Sequence, residues 1–276
     1  MRLNSLVKPL LVTGLLISGW AQAALDAGKV LEASPIDDIV AQYPAMMSQG
    51  IRDGLKRNGQ VPPMVADTIG YVVSNSFRAE DIERNIVSNL EASMTSKQLA
   101  EVHDWYQTPV AEKIARAEIA ASAPAVWSEV RRRAPELNKT HKGTDREALF
   151  ARFDRASRAT ESAVDTAIAL QVGLSSAMAA LSGNSVNSEV LYQRLEAQRP
   201  ALNGVVGQQV YDSYLFTYQD VSAQEMGLYL GFLESEAGRK FTEVVTESIQ
   251  QAVTGPIENI GSQLARFMAL GGNSSQ

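Results

Sequence analysis

Residues 94–118 read MTSKQLAEVHDWYQTPVAEKIARAE, and residues 221–245 read VSAQEMGLYLGFLESEAGRKFTEVV. The second segment repeats the design of the first at a constant offset, so that Met94 corresponds to Val221 and Glu118 to Val245. We call two residues that are related by this offset equivalent. Each segment contains a helix start, an apolar stripe, and an interruption followed by a second helix start. The repeated design predicts a chain with two related halves.

Both segments begin with a capping signature. Thr95 is followed three residues later by Gln98, and Ser222 by Glu225. In a capping box the hydroxyl accepts a free backbone N–H of the first turn, and the longer side chain reaches back to the cap residue. We therefore expect a helix after each cap, with one apolar stripe that needs a neighbour. The stripe residues are Leu99, Val102 and Tyr106 in the first segment and Met226, Tyr229, Leu230 and Leu233 in the second.

A bend interrupts both helices at the same place. Thr108 and Ser235 are suitable N-caps, and Pro109 fits a first helical position because no N–H is needed there. Each segment is therefore predicted to be a helix, a sharp bend and a second helix.

The stretch WYQTPVAEK, residues 105–113, resembles the aromatic-Tyr-x-Ser-Pro-x-Gly-x-Lys signature of the bacterial exported domain-of-unknown-function 2059 family. The stretch FLESEAGRK, residues 232–240, is similar to a second copy. The first copy keeps Pro109 but has Ala111 in place of the glycine, whereas the second keeps Gly238 but has Glu236 in place of the proline. The resemblance implies an all-helical envelope protein, and it implies no catalytic residue.

The rest of the chain also predicts helices, including a last one over residues 256–268, and it lacks the alternating runs and hairpin turns that strands need. Residues 24–33 are expected to be a short lead-in, and residues 134–144 have the proline, glycine and polar content of a linker. We therefore predict an all-α protein with two related helical bundle halves from an internal duplication. The first repeat covers residues 24–140 and the second covers residues 141–276.

The N-terminus predicts secretion. Arg2 and Lys8 precede an apolar run over residues 10–20 and the sequence AQA at 21–23. This is the pattern of a cleavable signal peptide, residues 1–23, and the run is too short to span a bilayer comfortably. We predict cleavage after Ala23, with Ala24 as the alternative, and a location in the periplasm. The chain has no cysteine, which excludes disulfides, thiolate metal sites and thiol catalysis.

Charge argues against nucleic acid as a partner. The formal net charge is −6, and binding to nucleic acid or anionic lipid depends on cations that neutralise phosphates. The exception is the triplet Arg131, Arg132 and Arg133. We interpret these cations as the last turn of a helix that ends before Pro135, with an anionic-ligand patch as the alternative.

Catalytic and metal-binding patterns are missing from the sequence. The two histidines, His103 and His141, fall on an apolar stripe and in the predicted linker, respectively. Neither a two-histidine zinc motif nor a serine elbow, a Walker loop or a dinucleotide fingerprint is present. We predict no catalytic residue, no metal site and no cofactor.

Tyrosines are concentrated in the second half. Tyr211, Tyr214 and Tyr218 are spaced to lie along one helix face, and Tyr229 follows in the second motif. We interpret them as core residues whose hydroxyls reach the core edge; the alternative is a groove for a peptide, a glycan or an apolar ligand.

Three functions are compatible with these patterns. The first is a non-catalytic envelope protein that binds an unknown protein or cell-wall component without spanning the membrane. The second is a carrier of an apolar or lipidic ligand in a cavity between the halves. The third is a glycan hydrolase, which would need two facing, buried carboxylates in a cleft.

Overall fold

The computed structural model describes residues 26–57, 62–181 and 186–272, with the side chains of 57, 65, 177, 180, 181 and 256–272 outside the description. The predicted signal peptide, residues 1–23, lies outside these ranges. Throughout the described ranges the elements are helices and no strand occurs, which confirms the all-α prediction. The first seven α-helices are α1 (Ala27–Ala33), α2 (Ile36–Arg57), α3 (Pro63–Ser76), α4 (Ala79–Ser93), α5 (Ser96–Tyr106), α6 (Pro109–Ser122) and α7 (Trp127–His141), with a 3-10 helix, Pro124–Val126, before α7. The others are α8 (Asp145–Ser157), α9 (Ala159–Leu181), α10 (Ser188–Ala197), α11 (Arg199–Thr217), α12 (Ala223–Leu233) and α13 (Glu236–Gly272).

Both predicted capping boxes are present. The Thr95 hydroxyl accepts the Gln98 N–H, and the Gln98 side chain accepts the Thr95 N–H at 2.9 Å. Ser222 and Glu225 exchange the same pair of bonds at the start of α12. The predicted bends follow, at Thr108 and Ser235, where each hydroxyl accepts an N–H of the next helix. The stripe residues of α5 and α12 are buried, so both helices pack as their patterns indicate.

The prediction of a linker over residues 134–144 is wrong for residues 134–141, which are helical. Helix α7 continues through Pro135 to His141, and only residues 142–144 separate it from α8. A proline inside a helix removes a backbone hydrogen bond and crowds the preceding turn. Here the burial of Ala134 and Leu137 offsets that cost, because tertiary packing outweighs the local preference.

The arginine triplet consequently lies in the middle of α7 and not in its last turn, which corrects the sequence interpretation. Arg132 forms an ion pair with Glu129 one turn earlier. The Arg133 guanidinium lies 5.6 Å from the ring centroid of Phe216 on α11. Both cations therefore have partners within the fold.

Three other boundaries differ from the prediction or refine it. The expected lead-in contains α1, which is capped by Asp26 and buries Ala27, Val30 and Leu31. The predicted last helix, residues 256–268, is the distal part of α13, which runs unbroken from Glu236. The chain between α8 and α9 turns at Arg158, whose φ of 55° ends α8 in the left-handed region.

The hydrophobic core contains residues from both predicted halves of the chain. One hydrophobic cluster contains Leu90, Leu99 and Ile114 together with Leu215, Leu230 and Phe241. Helices that the sequence offset relates also make matching contacts: α4 packs on α13 as α11 packs on α6, and α5 packs on α13 as α12 packs on α6. The division into repeats of residues 24–140 and 141–276 stays a prediction. Within the described ranges, no helix combines the length and the apolar character needed to cross a membrane.

Candidate functional site

The two bends interlock through their capping residues. Lys113, on α6, donates to both carboxylate oxygens of Glu225 at 2.9 Å, and Glu225 belongs to the capping box of α12. Gln98, the capping residue of α5, donates to Glu236 at the start of α13 at 3.1 Å. Hydrogen bonds from Lys113 and Ser222 lower the pKa of Glu225 to about 2. The motif residues thus hold the two bends together, which is a structural role.

Aromatic rings fill the space between the bends. Trp105 of α5 stacks on Phe232 of α12 with ring centroids 5.0 Å apart, and the ring of Tyr106 meets Phe232 and Phe241 edge-on. Such offset or edge-on pairs add to the stabilisation from burial. The most characteristic residues of the signature are therefore packing residues.

Three of the four tyrosines singled out from the sequence are buried. Tyr214, Tyr218 and Tyr229 pack around Phe153 with centroid distances of 5.0 to 5.4 Å. Their hydroxyls find acceptors at the core edge, since Tyr214 donates to Asp154 at 2.9 Å and Tyr218 to Glu118 at 2.7 Å. Tyr211 is partly exposed and meets Phe150 edge-on. The structure brings the four residues into one aromatic cluster.

Glu118 is a site residue that the sequence analysis did not single out. It lies on α6, is partly buried, and accepts hydrogen bonds from Tyr218 and Tyr229. Desolvation raises the pKa of this carboxyl to about 7, although the two tyrosine hydrogen bonds lower it. Its equivalent in the second half is Val245, which is buried on α13. The chain therefore places a carboxyl where its second half has an apolar side chain.

A cleft of about 650 Å³ with a mixed polar and aromatic lining opens beside the tyrosines. Tyr211 and Tyr214 form part of its wall, whereas Tyr218 and Tyr229 do not line it. Its rim carries charge of both signs from Lys139, Lys142 and Glu147. Two of the four predicted tyrosines therefore line this cleft.

A larger groove runs between α2 and α9. We call it the methionine groove; its volume is about 880 Å³. It is lined by Met46, Met47, Gly50, Ile51, Gly54 and Leu55 on α2, by Ala167, Leu170, Gln171, Leu174, Ser175 and Met178 on α9, and by Trp127. None of these residues is charged. Methionine is flexible and polarisable, so it adapts to apolar partners of different shape.

The methionine groove continues along α13. A neighbouring space of about 480 Å³ shares Met46, Met47, Ala167 and Leu170 with it and extends to Tyr43 and Ile249. That extension also lacks charged residues in its lining. Since Tyr43 lies two turns into α2 and Leu55 lies near its end, the two spaces together follow little more than half of the helix.

The sequence of α2 contains a pattern that is compatible with this groove. Met46, Met47, Gly50 and Gly54 recur at helical spacing in α2, but such a pattern is equally typical of a core helix. The tertiary packing shows that α9 faces these residues of α2 and that a space remains between the two helices. Among the described residues, no group of three histidine, aspartate or glutamate side chains is arranged to hold a metal ion.

No curated protein matches the chain, and no solved structure matches it. A family match covers residues 80–139, which span α4 to α7 and include the first motif. The second motif and both walls of the methionine groove lie outside the match, so the second copy stays a prediction. Over residues 80–139 the chain matches the bacterial family described as "Uncharacterized protein conserved in bacteria (DUF2059)".

Proposed function

We propose that the protein is a non-catalytic binding protein of the cell envelope, and that it holds an apolar part of its partner in the methionine groove. The observation that carries this proposal is the uncharged lining of that groove over about 880 Å³. Binding sites are typically concave and mostly apolar with a few polar groups that fix orientation. Gln171 and Ser175 are such groups here.

The exposure of the side chains that line the methionine groove also supports it as a binding surface. Met46, Met47 and Leu174 are partly buried in the groove, and Ile51 and Leu55 in its lining are buried. A partner that covered the groove would remove the remaining apolar area of these side chains from water, which stabilises a complex by about 25 cal/mol per Å² before the costs of association.

The N-terminal sequence supports the periplasm as the place of action. The pattern of Arg2, Lys8 and the apolar run at 10–20 is that of an exported protein. Cell fractionation and the mass of the purified protein test this part: the mature chain should begin at Ala24 and be found in the periplasmic fraction. A full-length chain in the cytoplasm would refute it.

A photo-crosslinking experiment tests the groove. Ser175 in the groove wall and Leu228, which is exposed on α12, are each replaced by benzoylphenylalanine in cells that export the protein. We expect an adduct from position 175 and none from position 228. The adduct should disappear when Gly54→Leu fills the groove, because a Cβ at Gly54 meets nothing within 4 Å and the leucine can enter the open space. Equal adducts from both positions, or none from position 175, would contradict the proposal.

A second candidate function is supported by the same groove, namely transport of a lipidic molecule. Its walls come from α2 and α9, which fall in the two predicted halves, as the carrier hypothesis requires. Native mass spectrometry of protein purified from its own host distinguishes the two. A carrier should retain a small molecule that is lost in Gly54→Leu, whereas a protein-binding protein should not.

The hydrolase alternative has less support. Among the described residues, Glu118 is the carboxyl with a strongly raised pKa, and its partners are Tyr218 and Tyr229 and not a second carboxylate. We therefore assign no catalytic residue.

A further inference from the structure

The cleft of about 650 Å³ that Tyr211 lines, which we call the tyrosine cleft, carries opposite charges on different helices. Lys139 and Lys142 come from the last turn of α7 and its C-cap, whereas Glu147 and Asp154 come from α8. Among the described residues, none of these four side chains takes part in an ion pair. The cleft therefore holds two cations apart from two carboxylates.

Charged side chains elsewhere in the fold do pair. Arg158 contacts Glu161 at 2.9 Å within one turn of helix, and Arg199 at the start of α11 reaches Asp165 on α9 at 2.7 Å. The charges of the tyrosine cleft have no such partner, so they are available to a bound molecule. Complementary charge determines which molecule a site of this kind selects.

The carboxylates of the tyrosine cleft are held in place by neutral donors. Asp154 Oδ1 accepts the Thr160 N–H at 3.0 Å, the Thr160 hydroxyl at 2.9 Å and the Tyr214 hydroxyl at 2.9 Å. These bonds fix the carboxylate and leave its Oδ2 without a donor among the described residues. Glu147 is held through Oε2, which accepts the Gly143 N–H at 2.7 Å. A site that is oriented before binding loses less entropy when the ligand arrives.

The lining between the charged groups is apolar and aromatic. Phe150 is fully buried at the base of the tyrosine cleft and meets the partly exposed ring of Tyr211 edge-on, with centroids 6.2 Å apart. Ala151 and Gly207 add small residues to the lining. An apolar side chain of a ligand can therefore cover the two rings while its charged groups reach the walls.

A fixed amide adds an acceptor for a peptide N–H. Gln208 Nε2 donates to Asn138 Oδ1 at 3.2 Å and to Asp212 Oδ1 at 2.7 Å, which fixes the orientation of the amide. Its Oε1 accepts no hydrogen bond among the described residues. The Tyr211 hydroxyl, which likewise has no partner there, can donate to a carbonyl. A peptide group needs one acceptor and one donor of this kind.

We propose that the tyrosine cleft binds a short zwitterionic peptide, with its terminal carboxylate toward Lys139 and Lys142 and its terminal ammonium toward Glu147 and Asp154. The cleft volume of about 650 Å³ lies within the range of roughly 300–1,000 Å³ that small-molecule sites occupy. The residues that line this cleft and those that line the methionine groove are different. The inference is therefore independent of the proposed function.

Calorimetric titration of the mature full-length protein tests the inference. The probe is the tripeptide alanyl-leucyl-alanine with free termini, and its analogues carry an acetylated N-terminus or an amidated C-terminus. We expect the free tripeptide to bind and each analogue to bind about tenfold more weakly, because each has lost one charge that the cleft complements. Chitotriose, a neutral glycan with hydroxyls and amides but no charge, should not bind.

Two protein variants locate the bound peptide. Ala151→Phe fills the cleft from an exposed position on α8, and its matched control is Ala201→Phe, at an exposed position on α11 outside the lining. We expect about tenfold weaker binding to Ala151→Phe and binding within about twofold of the unchanged protein for Ala201→Phe. A double variant, Lys139→Met with Lys142→Met, should bind the free and the amidated tripeptide equally, since the partners of the carboxylate are gone.

Three results would overturn the inference: no binding of the free tripeptide, binding of chitotriose in its place, or equal binding to Ala151→Phe and the unchanged protein. A preference for the free carboxylate that persists in the double lysine variant would also contradict it. The comparison of tripeptide and analogues needs only the unchanged protein, so it decides even if Ala151→Phe does not fold. Crosslinking from the methionine groove is unaffected by any of these results.

Discussion

Trp105 and Phe232, which hold equivalent positions in the two motif segments, stack with ring centroids separated by 5.0 Å and ring planes 7° from parallel. Contacts between equivalent residues arise where two copies meet about a two-fold axis. The stack therefore supports the interpretation that two related bends pack face to face, with the axis near these two rings.

This stack predicts different outcomes for two substitutions of Trp105. Trp105→Ala should lower the free energy of unfolding by about 2–4 kcal/mol, because it removes a large packed ring. Trp105→Phe should cost less than about 1.5 kcal/mol, since it keeps an aromatic ring in the stack. It also removes a buried indole Nε1 that finds no hydrogen-bond partner among the described residues. Urea unfolding of both variants measures the difference, and equal losses would show that the stack does not stabilise the fold.

The close backbone contact at Gly238 leads to a second prediction, which concerns the stability of the second bend. A Cβ at this position would lie 1.9 Å from the backbone oxygen of Phe232. Something must shift to admit it, so we expect Gly238→Ala to destabilise the protein by about 2 kcal/mol or more. Thermal or urea unfolding measures the loss.

Two controls isolate the effect of the close contact at Gly238. Gly227→Ala on α12 meets nothing within 4 Å and should stabilise the protein by up to about 1 kcal/mol, because alanine favours a helix. Ala111 occupies the equivalent position in the first bend and is buried there. Ala111→Gly should therefore cost about 1 kcal/mol, the usual difference in helix propensity. If Gly238→Ala left the free energy of unfolding unchanged, both bends would accept a Cβ at this position and the close contact with Phe232 would not destabilise the fold.

Local signals account for what the sequence could predict. Thr95 with Gln98 and Ser222 with Glu225 determine a hydrogen-bonding pattern within four residues, so their helix starts were predicted correctly. Pro135 was predicted to follow the end of a helix and Pro256 to start one, yet both lie inside helices. The buried contacts of Ala134 and Leu137 that stabilise α7 around Pro135 involve residues distant in sequence, so local patterns do not predict them.

The candidate sites depended even more on distant residues. The tyrosine cluster was visible because three of its members share one helix face, but Glu118 comes from α6, which lies far before them in the sequence. The methionine groove requires α2 and α9 to face each other without closing the space between them. Helical periodicity predicts which face of a helix is apolar, and it does not predict which apolar face is left open.

The ion pair between Lys113 and Glu225 predicts a measurable pKa change. Glu225 should titrate near pH 2, because Lys113 and Ser222 donate to its carboxylate. Lys113→Met removes the largest of these contributions, so the pKa of Glu225 should move up toward its ordinary value of 4.5. Side-chain carbon NMR during an acid titration measures the shift.

Lys240 provides the matched control for this titration. It is the equivalent lysine of the second bend and contacts Glu243 at 3.5 Å instead of a capping residue. Lys240→Met should therefore leave the Glu225 titration unchanged. An unchanged Glu225 pKa in Lys113→Met would mean that the pair does not persist in solution.

Glu118 predicts the pH dependence of stability. Its pKa in the folded protein is about 7 against an ordinary value of 4.5, so the folded state holds this proton more tightly than the unfolded state does. The resulting stabilisation is fully present below pH 4.5 and is lost as the pH rises through 7. Glu118→Gln mimics the protonated carboxyl and should therefore be more stable than the unchanged protein at pH 8, by about 1–3 kcal/mol. At pH 5 the two proteins should differ much less.

Urea unfolding at pH 5 and pH 8 measures the effect of Glu118 on stability. The control is Glu112→Gln, because Glu112 is an exposed glutamate on the same helix. Differences in stability between each variant and the unchanged protein cancel the titration of all other groups, including Glu225, whose lowered pKa acts only at more acidic pH. Only Glu118→Gln should show a difference that grows from pH 5 to pH 8. A pH-independent difference would mean that the pKa of the Glu118 carboxyl is the same in the folded and unfolded states, which would contradict the prediction.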